Sequence, residues 1–447
     1  MNVSTHRGSP AAAPHRPRYT LALLTALSAL SFMDRQILAV LTQPVKLEFG
    51  LTDLQVGLVT GLGFALTFGL LGVPLGRWAD RHDRRGLIVA CRGLGGALAG
   101  LGAAAGGFWT LMLTRSGSAV SDAGGNPASM SLVADLFPPE QRSRAMSVFA
   151  TGGSIGALMA LVGGSWLAQA FGWRAALALV GCLTLALTSL LWLTVREPAR
   201  GGLAPAAPGG APVPHPRGAV RAIWREPVTR WLIVAAACVL LAGYSFGAWN
   251  TALLVRHHGL ALRSAGWVSG AAALAAMAGG LVSGVLTDAL ARRDPRWQVG
   301  VPMLGVALAL PAGLAYLMLP PGSVAVATVL VVVYAFFLTW WVAPTYAALS
   351  LVVAPERRAT ASAMVLLAGS IIGNGVGPIL TGWLSDRLAA VAGSASLAWA
   401  LVVMVSMLAP GLLAFARARR AYPAAWASVH AAPAAVLDVP VNPSAPR

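Results

Sequence analysis

The sequence has 447 residues, of which 57% are hydrophobic and 11% are charged, and its mean hydropathy is +0.71. Soluble globular proteins carry about 25% charged residues, so this composition excludes a soluble protein and indicates an integral membrane protein. A formal net charge of +17 in a soluble chain would suggest nucleic-acid binding. Here the arginines fall in short loops between apolar segments, so no nucleic-acid partner is expected.

Apolar segments long enough to cross a hydrocarbon core of roughly 30 Å recur along the chain. They predict an all-α membrane protein with twelve transmembrane helices, at residues 19–45, 54–78, 86–106, 108–136, 143–169, 172–194, 229–255, 265–290, 299–319, 323–353, 359–386 and 395–416. Most basic residues flank these spans on the side that holds the N-terminus. The positive-inside rule then places both termini in the cytoplasm of a multi-pass cell-membrane protein, which we expect to be a bacterial inner-membrane protein.

The first span contains an acid and a base side by side, Asp34 and Arg35. At 1.5 Å per residue, Asp34 lies roughly 20 Å from the cytoplasmic start of the helix. A charge at the bilayer centre costs from about 2.5 to more than 10 kcal/mol, so such residues usually face a wet cavity and pair with one another. We interpret the pair as part of a proton- and substrate-responsive switch. The alternative is a static ion-pair cluster that fixes helix register.

A polar motif follows the second span and contains Gly76, Asp80, Arg81, Arg84 and Arg85. The glycine predicts close helix approach, and Asp80 predicts an acceptor for a neighbouring arginine or for the amides that begin span 11. We interpret the motif as a cytoplasmic gate whose contacts form when that side is closed. Positive charge that only sets topology is the alternative, but it leaves the acid unexplained.

The fourth span holds Arg115 and Asp122, seven residues apart, and this spacing predicts that they share one helix face. With Asp34 they form a mid-membrane set whose net charge changes by one when a carboxylate is protonated. Burial favours the neutral carboxyl group and a nearby arginine opposes it. We therefore predict that Asp34 and Asp122 couple transport to protons. Arg92 is also inside a span but lies nearer a helix end, so a part in the switch and a static role both stay open for it.

The two halves of the chain repeat each other on either side of a linker that is rich in Pro, Gly and Ala, at residues 196–226. After span 8, Gly284, Asp288, Arg292 and Arg293 repeat the spacing of the motif after span 2. Two copies in one orientation predict two six-helix bundles related by an axis along the membrane normal. The predicted domains are the tails 1–18 and 418–447 and the bundles 19–195 and 227–417.

The second half has no charge deep in a span, so its candidate cavity residues are aromatic or neutral. They are Tyr244, Trp249, Asn250, Phe336, Phe337, Trp340, Trp341 and Asn374. A charged first half and an aromatic second half suit an amphiphile with an ionic head. Packing against lipid or neighbouring helices is the alternative for each aromatic residue. Glycines 369, 373 and 377, at four-residue spacing, predict close helix packing.

The motif from Gly76 to Arg85 resembles the loop signature GxxxDRxGRR of the major facilitator superfamily, with Asp83 in the position of its second glycine. Residues 32–38, 48–55 and 137–140 are similar to the spinster-like branch of that family. Residues 115–127 resemble the span-4 pattern RxGxGxGEA of the same branch, with aspartate in place of glutamate at position 122.

This resemblance implies coupling roles for Asp34, Arg35, Arg115 and the acid at position 122. It also implies lysolipid or sphingoid substrates. The sequence thus predicts a secondary active transporter of the major facilitator fold, driven by protons through symport or antiport, that moves a lysolipid-like amphiphile by alternating access. A proton-coupled transporter or exporter of small organic anions or drugs is the alternative.

Other functional classes lack the residues that they need. The spans contain no nucleophile–base or metal constellation for a membrane enzyme, and Lys46 is the only lysine, which excludes a phosphate-binding loop of the GxxxxGK[ST] type. No cofactor and no metal are expected. The expected partners are an amphipathic or organic-ion substrate, protons and membrane lipid, and the expected assembly is a monomer.

Overall fold

The computed structural model describes residues 16–198, 219–354 and 357–430, and within these ranges the secondary structure is helical without strands. The tails 1–15 and 431–447 and most of the predicted linker lie outside the described residues. The α-helices are α1 Pro17–Phe49, α2 Asp53–Gly57, α3 Gly63–Arg81, α4 Arg84–Leu101, α5 Phe108–Ser118, α6 Val120–Leu136, α7 Pro139–Leu158, α8 Ser165–Thr194, α9 Ala219–Arg225, α10 Pro227–Arg256, α11 Leu262–Ala291, α12 Trp297–Leu317, α13 Val324–Leu338, α14 Val342–Val352, α15 Arg358–Ala368, α16 Gly377–Ala392, α17 Ser396–Ser406 and α18 Leu408–His430.

These helices account for all twelve predicted spans. Nine helical segments of the described chain are long and apolar enough to cross a membrane. Two of them, Glu140–Thr194 and Thr360–Ala427, are 55 and 68 residues long, so each holds two spans of about 20 residues. Helices α5 and α6 together provide one more, which is too polar to meet the same criterion. The protein is an all-α, multi-pass membrane protein.

Glycines with positive φ form tight turns between consecutive spans. Gly172, with φ 85°, separates the two spans in Glu140–Thr194, and Gly393, with φ 53°, separates those in Thr360–Ala427. Glycine adopts this left-handed conformation without a steric penalty from a Cβ atom. Within the described ranges, every positive-φ glycine follows an odd-numbered span; they are Gly50, Gly172, Gly259, Gly322 and Gly393.

The first compact unit comprises Met1–Leu41 and Leu66–Ala211. Helix α4 packs against both α6 and α8 in this unit. A Cβ atom on Gly181 of α8 would lie 2.5 Å from the Cα atom of Gly100 of α4, so only glycine permits the observed approach of these backbones. Because α4 packs this closely against α8, the α4 side chains that come after the gate motif in the sequence lie in the interior of the unit.

The second compact unit comprises Thr42–Ala65 and Pro212–Arg447. Helix α10 packs on α18, and α2 packs on α16. A Cβ atom on Gly382 of α16 would overlap the carbonyl oxygen of Asp53. Residues 42–65, which belong to the predicted bundle 19–195 along the chain, therefore pack within the second unit. The predicted bundle boundaries in the linker stay a prediction.

Glycines that were predicted to allow close packing have two different outcomes. Cβ atoms on Gly369, Gly373 and Gly377 would meet α10 side chains at 3.3, 2.5 and 2.7 Å, which confirms close packing there. Gly76 and Gly284 have open space, with no described atom within 4 Å of a Cβ atom. The close helix approach expected at the motif glycine belongs to the closed cytoplasmic gate, so it stays a prediction.

Candidate functional site

Two arginine–aspartate pairs lie inside the first unit, and the first joins α1 to α5. Arg115 donates from Nη1 to Oδ1 of Asp34 at 2.6 Å and from Nη2 to the Asp34 carbonyl oxygen at 2.6 Å. The two side chains are 8% and 14% exposed. Two donors on one guanidinium fork fix the relative position of these helices more firmly than a single point contact does.

Arg115 and Asp122 were expected to share one helix face, and both side chains do reach α1: Arg115 bonds to Asp34, and Asp122 accepts from Ser31, about one turn earlier. Helix α5 ends at Ser118 and α6 begins at Val120, with Ala119 as the junction between them. Arg115 reaches Asp34, while Asp122 reaches Arg92. Each acid therefore has its own arginine, a pairing that residue spacing along one helix does not predict.

The second pair, Arg92 and Asp122, is held through polar side chains and not by a direct hydrogen bond. Arg92 Nη1 lies 3.7 Å from Asp122 Oδ1. Ser31 donates to the same carboxylate oxygen at 2.6 Å, and the Asn126 amide donates to it at 3.0 Å. Arg92 in turn donates to Asn126 Oδ1 at 2.6 Å and to Ser121 Oγ at 3.1 Å. The carboxylate is therefore solvated by neutral donors within a buried network.

Sequence reasoning left Arg92 unassigned, yet its side chain is fully buried at the centre of this network. Its depth was judged from distance to a helix end, which does not show which face of α4 points inward. Gly125 leaves room for this guanidinium group, because a Cβ atom there would lie 2.6 Å from Arg92 Nε. Ser31, Ser121 and Asn126 were also missed, since short polar side chains are common in transmembrane helices.

A cavity of about 500 Å³ opens beside the second pair. Asn126 lines the cavity and also bonds to both members of the pair, so it connects the charges with the open space. The remaining wall is largely apolar; its lining side chains include Ser28, Phe32, Met130, Met146, Ser147 and Phe149. Arg35 was predicted to pair with charge, and its guanidinium carbon lies 5.6 Å from the centre of the Phe32 ring.

The gate motif after span 2 is tied to the first unit by its arginines. Arg84 is 2% exposed and donates to Asp135 at 2.5 Å and to Glu197 at 2.8 Å. Arg85 donates to the carbonyl oxygen of Trp192. Asp83, in the position of the family's glycine, is the N-cap of α4 and accepts from the Gly86 amide at 3.0 Å. Arg84 thus has a structural partner set within its own unit.

The other predicted gate residues are on the surface. Arg81 is exposed, and so are Asp288, Arg292 and Arg293 of the second copy. The side chain of Asp80 lies outside the described residues. The gating role of both motifs stays a prediction.

Two predicted cavity residues of the second half are packed in the interior of their unit. Trp249 is fully buried and donates from Nε1 to the carbonyl oxygen of Pro378 at 3.1 Å. Asn250 accepts from the Tyr316 hydroxyl at 2.7 Å and donates to Ser269 at 3.2 Å. Both side chains have their polar atoms engaged by neighbouring helices. Packing against neighbouring helices therefore describes both side chains here, and their lining of a substrate cavity stays a prediction.

The remaining second-half candidates form an aromatic cluster and a separate polar position. The Phe336 ring lies 5.8 Å from that of Trp340 and 5.1 Å from that of Phe337, while Trp340 and Trp341 are each only 6% exposed. Tyr244 is half-buried. Asn374 lies in a π-helical segment, Gly369–Val376, and its buried Nδ2 has no hydrogen-bond partner among the described residues. π-Helical segments are frequent at functional sites, so Asn374 stays a candidate.

A charge cluster in the second unit was not predicted. Asp53 accepts from Arg256 Nη1 at 2.9 Å on both carboxylate oxygens, from Lys46 at 2.5 Å and from Ser385 at 2.7 Å. Asp386 in turn accepts from the amides of Asp53 and Leu54 at 2.9 and 2.8 Å. This reciprocal arrangement fixes the start of α2 to α10 and α16. Among the residues that the structure describes, no group of three His, Cys, Asp or Glu side chains has metal-binding geometry.

Comparison with known proteins gives consistent matches. The family model "Major Facilitator Superfamily" matches residues 24–378. An "MFS-type efflux pump" of Mycolicibacterium smegmatis is 34% identical over 396 residues, which cover 88% of this chain and 90% of the pump. "Protein spinster homolog 1" of Homo sapiens is 27% identical over 398 residues, which cover 84% of this chain and 74% of the human protein.

Solved structures agree with these matches. A bacterial homolog of the human lysosomal transporter spinster, crystallised in an inward-facing and unoccupied conformation, is similar with a TM-score of 0.82 and 27% sequence identity. The alignment covers 93% of this chain and 99% of that chain. The shared fold is built from two pseudo-symmetric six-helix bundles. The chain belongs to the major facilitator superfamily of transporters and resembles its spinster branch.

Proposed function

We propose that this transporter is a proton-coupled secondary transporter that moves an amphipathic organic substrate by alternating access. The observation that carries the proposal is the contrast between the two buried ion pairs. Arg115 contacts Asp34 directly at 2.6 Å, whereas Arg92 stays 3.7 Å from Asp122. The Asp122 carboxylate accepts hydrogen bonds from neutral donors, whereas the Asp34 carboxylate accepts one from a guanidinium group. Protonation therefore costs Asp122 less electrostatic stabilisation than it costs Asp34. Asp122 is therefore the preferred proton carrier.

Proton uptake at Asp122 has a direct consequence for Arg92. The guanidinium group is fully buried, and protonation of Asp122 removes the negative charge that faces it. A buried charge without a partner is costly, so an anionic group near Asn126 becomes favourable. An ionic substrate head in the adjacent cavity supplies this charge. Substrate and proton binding are then linked through one arginine.

The cavity beside Asn126 has the chemistry of an amphiphile site. Its volume of about 500 Å³ falls within the roughly 300–1,000 Å³ of small-molecule pockets. Phe32, Met130 and Met146 supply an apolar wall, and methionine side chains adapt to ligands of different shape. Asn126 and Ser28 supply the polar part. A lysolipid-like substrate fits this division, as the likeness to spinster proteins suggests.

Export of small organic anions or drugs is the second candidate. It is favoured by the relative from Mycolicibacterium smegmatis, whose name describes an efflux pump and whose 34% identity exceeds the 27% of the human spinster homolog. Both candidates use the same pair of acids. We further propose that the protein acts as a monomer in a bacterial inner membrane with both termini in the cytoplasm.

The test is transport into proteoliposomes with and without an imposed pH gradient. A lysophospholipid, a small organic anion and a drug-like dye are compared as substrates for the native protein and Asp122→Asn. Asp294→Asn is the matched control, because its carboxylate lies in a loop and accepts one backbone hydrogen bond, which asparagine retains. Substrate exchange without a gradient is measured in parallel, since it does not require net proton movement.

We expect gradient-driven accumulation in the native protein and in Asp294→Asn. Asp122→Asn should lose accumulation but keep substrate exchange, because the neutral amide mimics the protonated carboxyl group. Accumulation by Asp122→Asn at the native level would remove Asp122 from the coupling step. The substrate that accumulates decides between a lysolipid carrier and an exporter of small anions or drugs.

A further inference from the structure

A second cavity, of about 380 Å³, lies at the end of the first unit where α1 begins. Its wall combines polar and apolar side chains. The polar members are Arg18, Gln141 and Arg144, and the apolar ones include Leu21, Phe137 and Val148. None of these residues belongs to the two buried ion pairs or the gate motif, so transport chemistry does not explain the cavity.

Two arginines in one cavity are a concentration of uncompensated positive charge. Arg18 and Arg144 are both exposed, and neither has an acidic partner within the described ranges. Glu140 is adjacent to Gln141 along the chain but does not line the cavity. Guanidinium groups and an amide are donors that match phosphate oxygens. The charge and the donor set both indicate an anionic ligand.

The depth of the cavity matches the headgroup region of a membrane. Arg18 is the second residue of α1, while Gln141 and Arg144 lie in the first turns of α7. Leu21 and Val148 lie about one turn further along their helices, towards the hydrocarbon core. The Tyr19 hydroxyl is 3.0 Å from Thr194 Oγ1, which fastens the first turn of α1 to the end of α8. The charged side chains of the cavity therefore lie near the ends of their helices, and the apolar part of its wall lies about one turn deeper.

The second half of the chain lacks this combination. The loop sequence PEQRSRA at residues 139–145 recurs as PERRATA at residues 355–361, and this repeat places Thr360 at the position of Arg144 and Arg357 at that of Gln141. Positive charge that only sets membrane orientation does not require two arginines in one cavity of one half. The basic residue at position 144 is thus specific to the first half and is not part of the duplicated loop.

We propose that this cavity binds the phosphate group of an anionic membrane phospholipid, with an acyl chain against Leu21 and Val148. Basic pockets between transmembrane helices on the cytoplasmic side are suited to anionic headgroups, and the positive-inside rule places this end of α1 on that side. Free inorganic phosphate shares the anion chemistry but makes no use of the apolar wall. The lipid site is independent of the proton-coupling proposal.

The experiment measures lipid retention by the purified full-length protein with native mass spectrometry. Phosphatidylglycerol is compared with phosphatidylcholine, which has the same phosphate but no net charge. The double variant Arg18→Gln/Arg144→Gln is compared with Arg221→Gln/Arg225→Gln, which removes the same charge from exposed positions on α9. A third variant, Val148→Asn, weakens the apolar wall and keeps both arginines. Circular dichroism and thermal unfolding check that each variant is folded.

We expect the native protein and the α9 variant to retain phosphatidylglycerol in preference to phosphatidylcholine. Each basic residue near an anionic lipid contributes roughly a five-fold gain in binding, so the double variant should bind about thirty-fold more weakly. Val148→Asn should lower lipid retention while leaving any binding of inorganic phosphate unchanged.

Three results would overturn the proposal. Equal losses in both double variants would show a general effect of net charge. Equal retention of the two lipids would exclude anion recognition. Retention of phosphatidylglycerol that is unaffected by Val148→Asn but displaced by inorganic phosphate would assign the cavity to free phosphate.

Discussion

Arg115 holds Asp34 by two hydrogen bonds of equal length, one to the carboxylate and one to the carbonyl oxygen, each at 2.6 Å. The second bond engages the backbone of α1, so the arginine positions the helix and not only its charge. Lysine carries the same charge on a single nitrogen and lacks the planar fork. The two roles of Arg115, charge and position, can therefore be separated by mutation.

Arg115→Lys should keep the protein folded and reduce transport, because it retains the charge but loses the two-point contact. Arg115→Ala should be more severe, since it leaves a carboxylate buried without its partner at a cost of about 3–5 kcal/mol. The double variant Asp34→Asn/Arg115→Gln should recover part of this stability. The single variants Asp34→Asn and Arg115→Gln complete a double-mutant cycle, which is measured by thermal unfolding and transport. Equal stabilities for Arg115→Ala and the double variant would show that the Arg115–Asp34 contact does not stabilise the folded protein.

Gly125→Ala should disturb the second pair without changing any charge. A Cβ atom at this position would lie 2.6 Å from Arg92 Nε, so the guanidinium group must move away from Asn126. We expect a loss of about 1–3 kcal/mol in stability together with reduced gradient-driven transport.

The matched control is Gly93→Ala, on the same helix as Arg92. Its Cβ atom would meet Thr188 at 3.8 Å, an ordinary contact, so higher helix propensity should make it neutral or stabilising by up to about 1 kcal/mol. Transport should be unchanged. If both alanines behave alike in unfolding and transport assays, room for the guanidinium group is not the function of Gly125.

Asp53→Asn should loosen the start of α2. The carboxylate accepts from Arg256, Lys46 and Ser385, and asparagine leaves two cations facing a neutral group. Amide hydrogen exchange should become faster in the first turn of α2 and around Asp386 on α16, because these segments are joined through Asp53. Asp294→Asn, which touches neither segment, should leave their exchange unchanged. Unaltered protection in Asp53→Asn would mean that the capping bonds from Asp386 hold the contact by themselves.

His258 should make stability depend on pH. It lies in the loop after α10, is 6% exposed, and has no hydrogen-bond partner on either ring nitrogen among the described residues. Burial, with a smaller contribution from His257, lowers the pKa of His258 from its usual 6.5. As pH falls below about 6.5, the unfolded chain takes up a proton that the folded chain does not, so stability decreases and levels off below the folded-state pKa.

His258→Phe keeps an aromatic ring against Tyr316, whose ring centre lies 6.2 Å away, and removes the titration. Thermal unfolding between pH 7 and 5 should show a smaller decrease for this variant than for the native protein, by at most about 1.4 kcal/mol per pH unit. Parallel curves for the two proteins would show that His258 does not titrate differently in the folded and unfolded chains.

The sequence by itself determined the class of protein, the twelve spans and the family. These features depend on local properties: the length of apolar runs, the position of arginines in loops, and motif residues at fixed spacing. Asp34, Arg115 and Asp122 were identified for the same reason, because a charge within an apolar run is visible without knowledge of its partner. The resemblance to the spinster branch rested on contiguous stretches that need no tertiary information.

Only the tertiary structure decided which charges meet. Arg115 pairs with Asp34 and Asp122 with Arg92, and neither partner follows from the helical period that puts Arg115 and Asp122 on one face. Trp249 likewise proved to be a packing residue. The cluster around Asp53 joins residues more than three hundred positions apart. Hydropathy fixes how deep a side chain lies, but its neighbours depend on how helices rotate and pack, which a one-dimensional pattern does not encode.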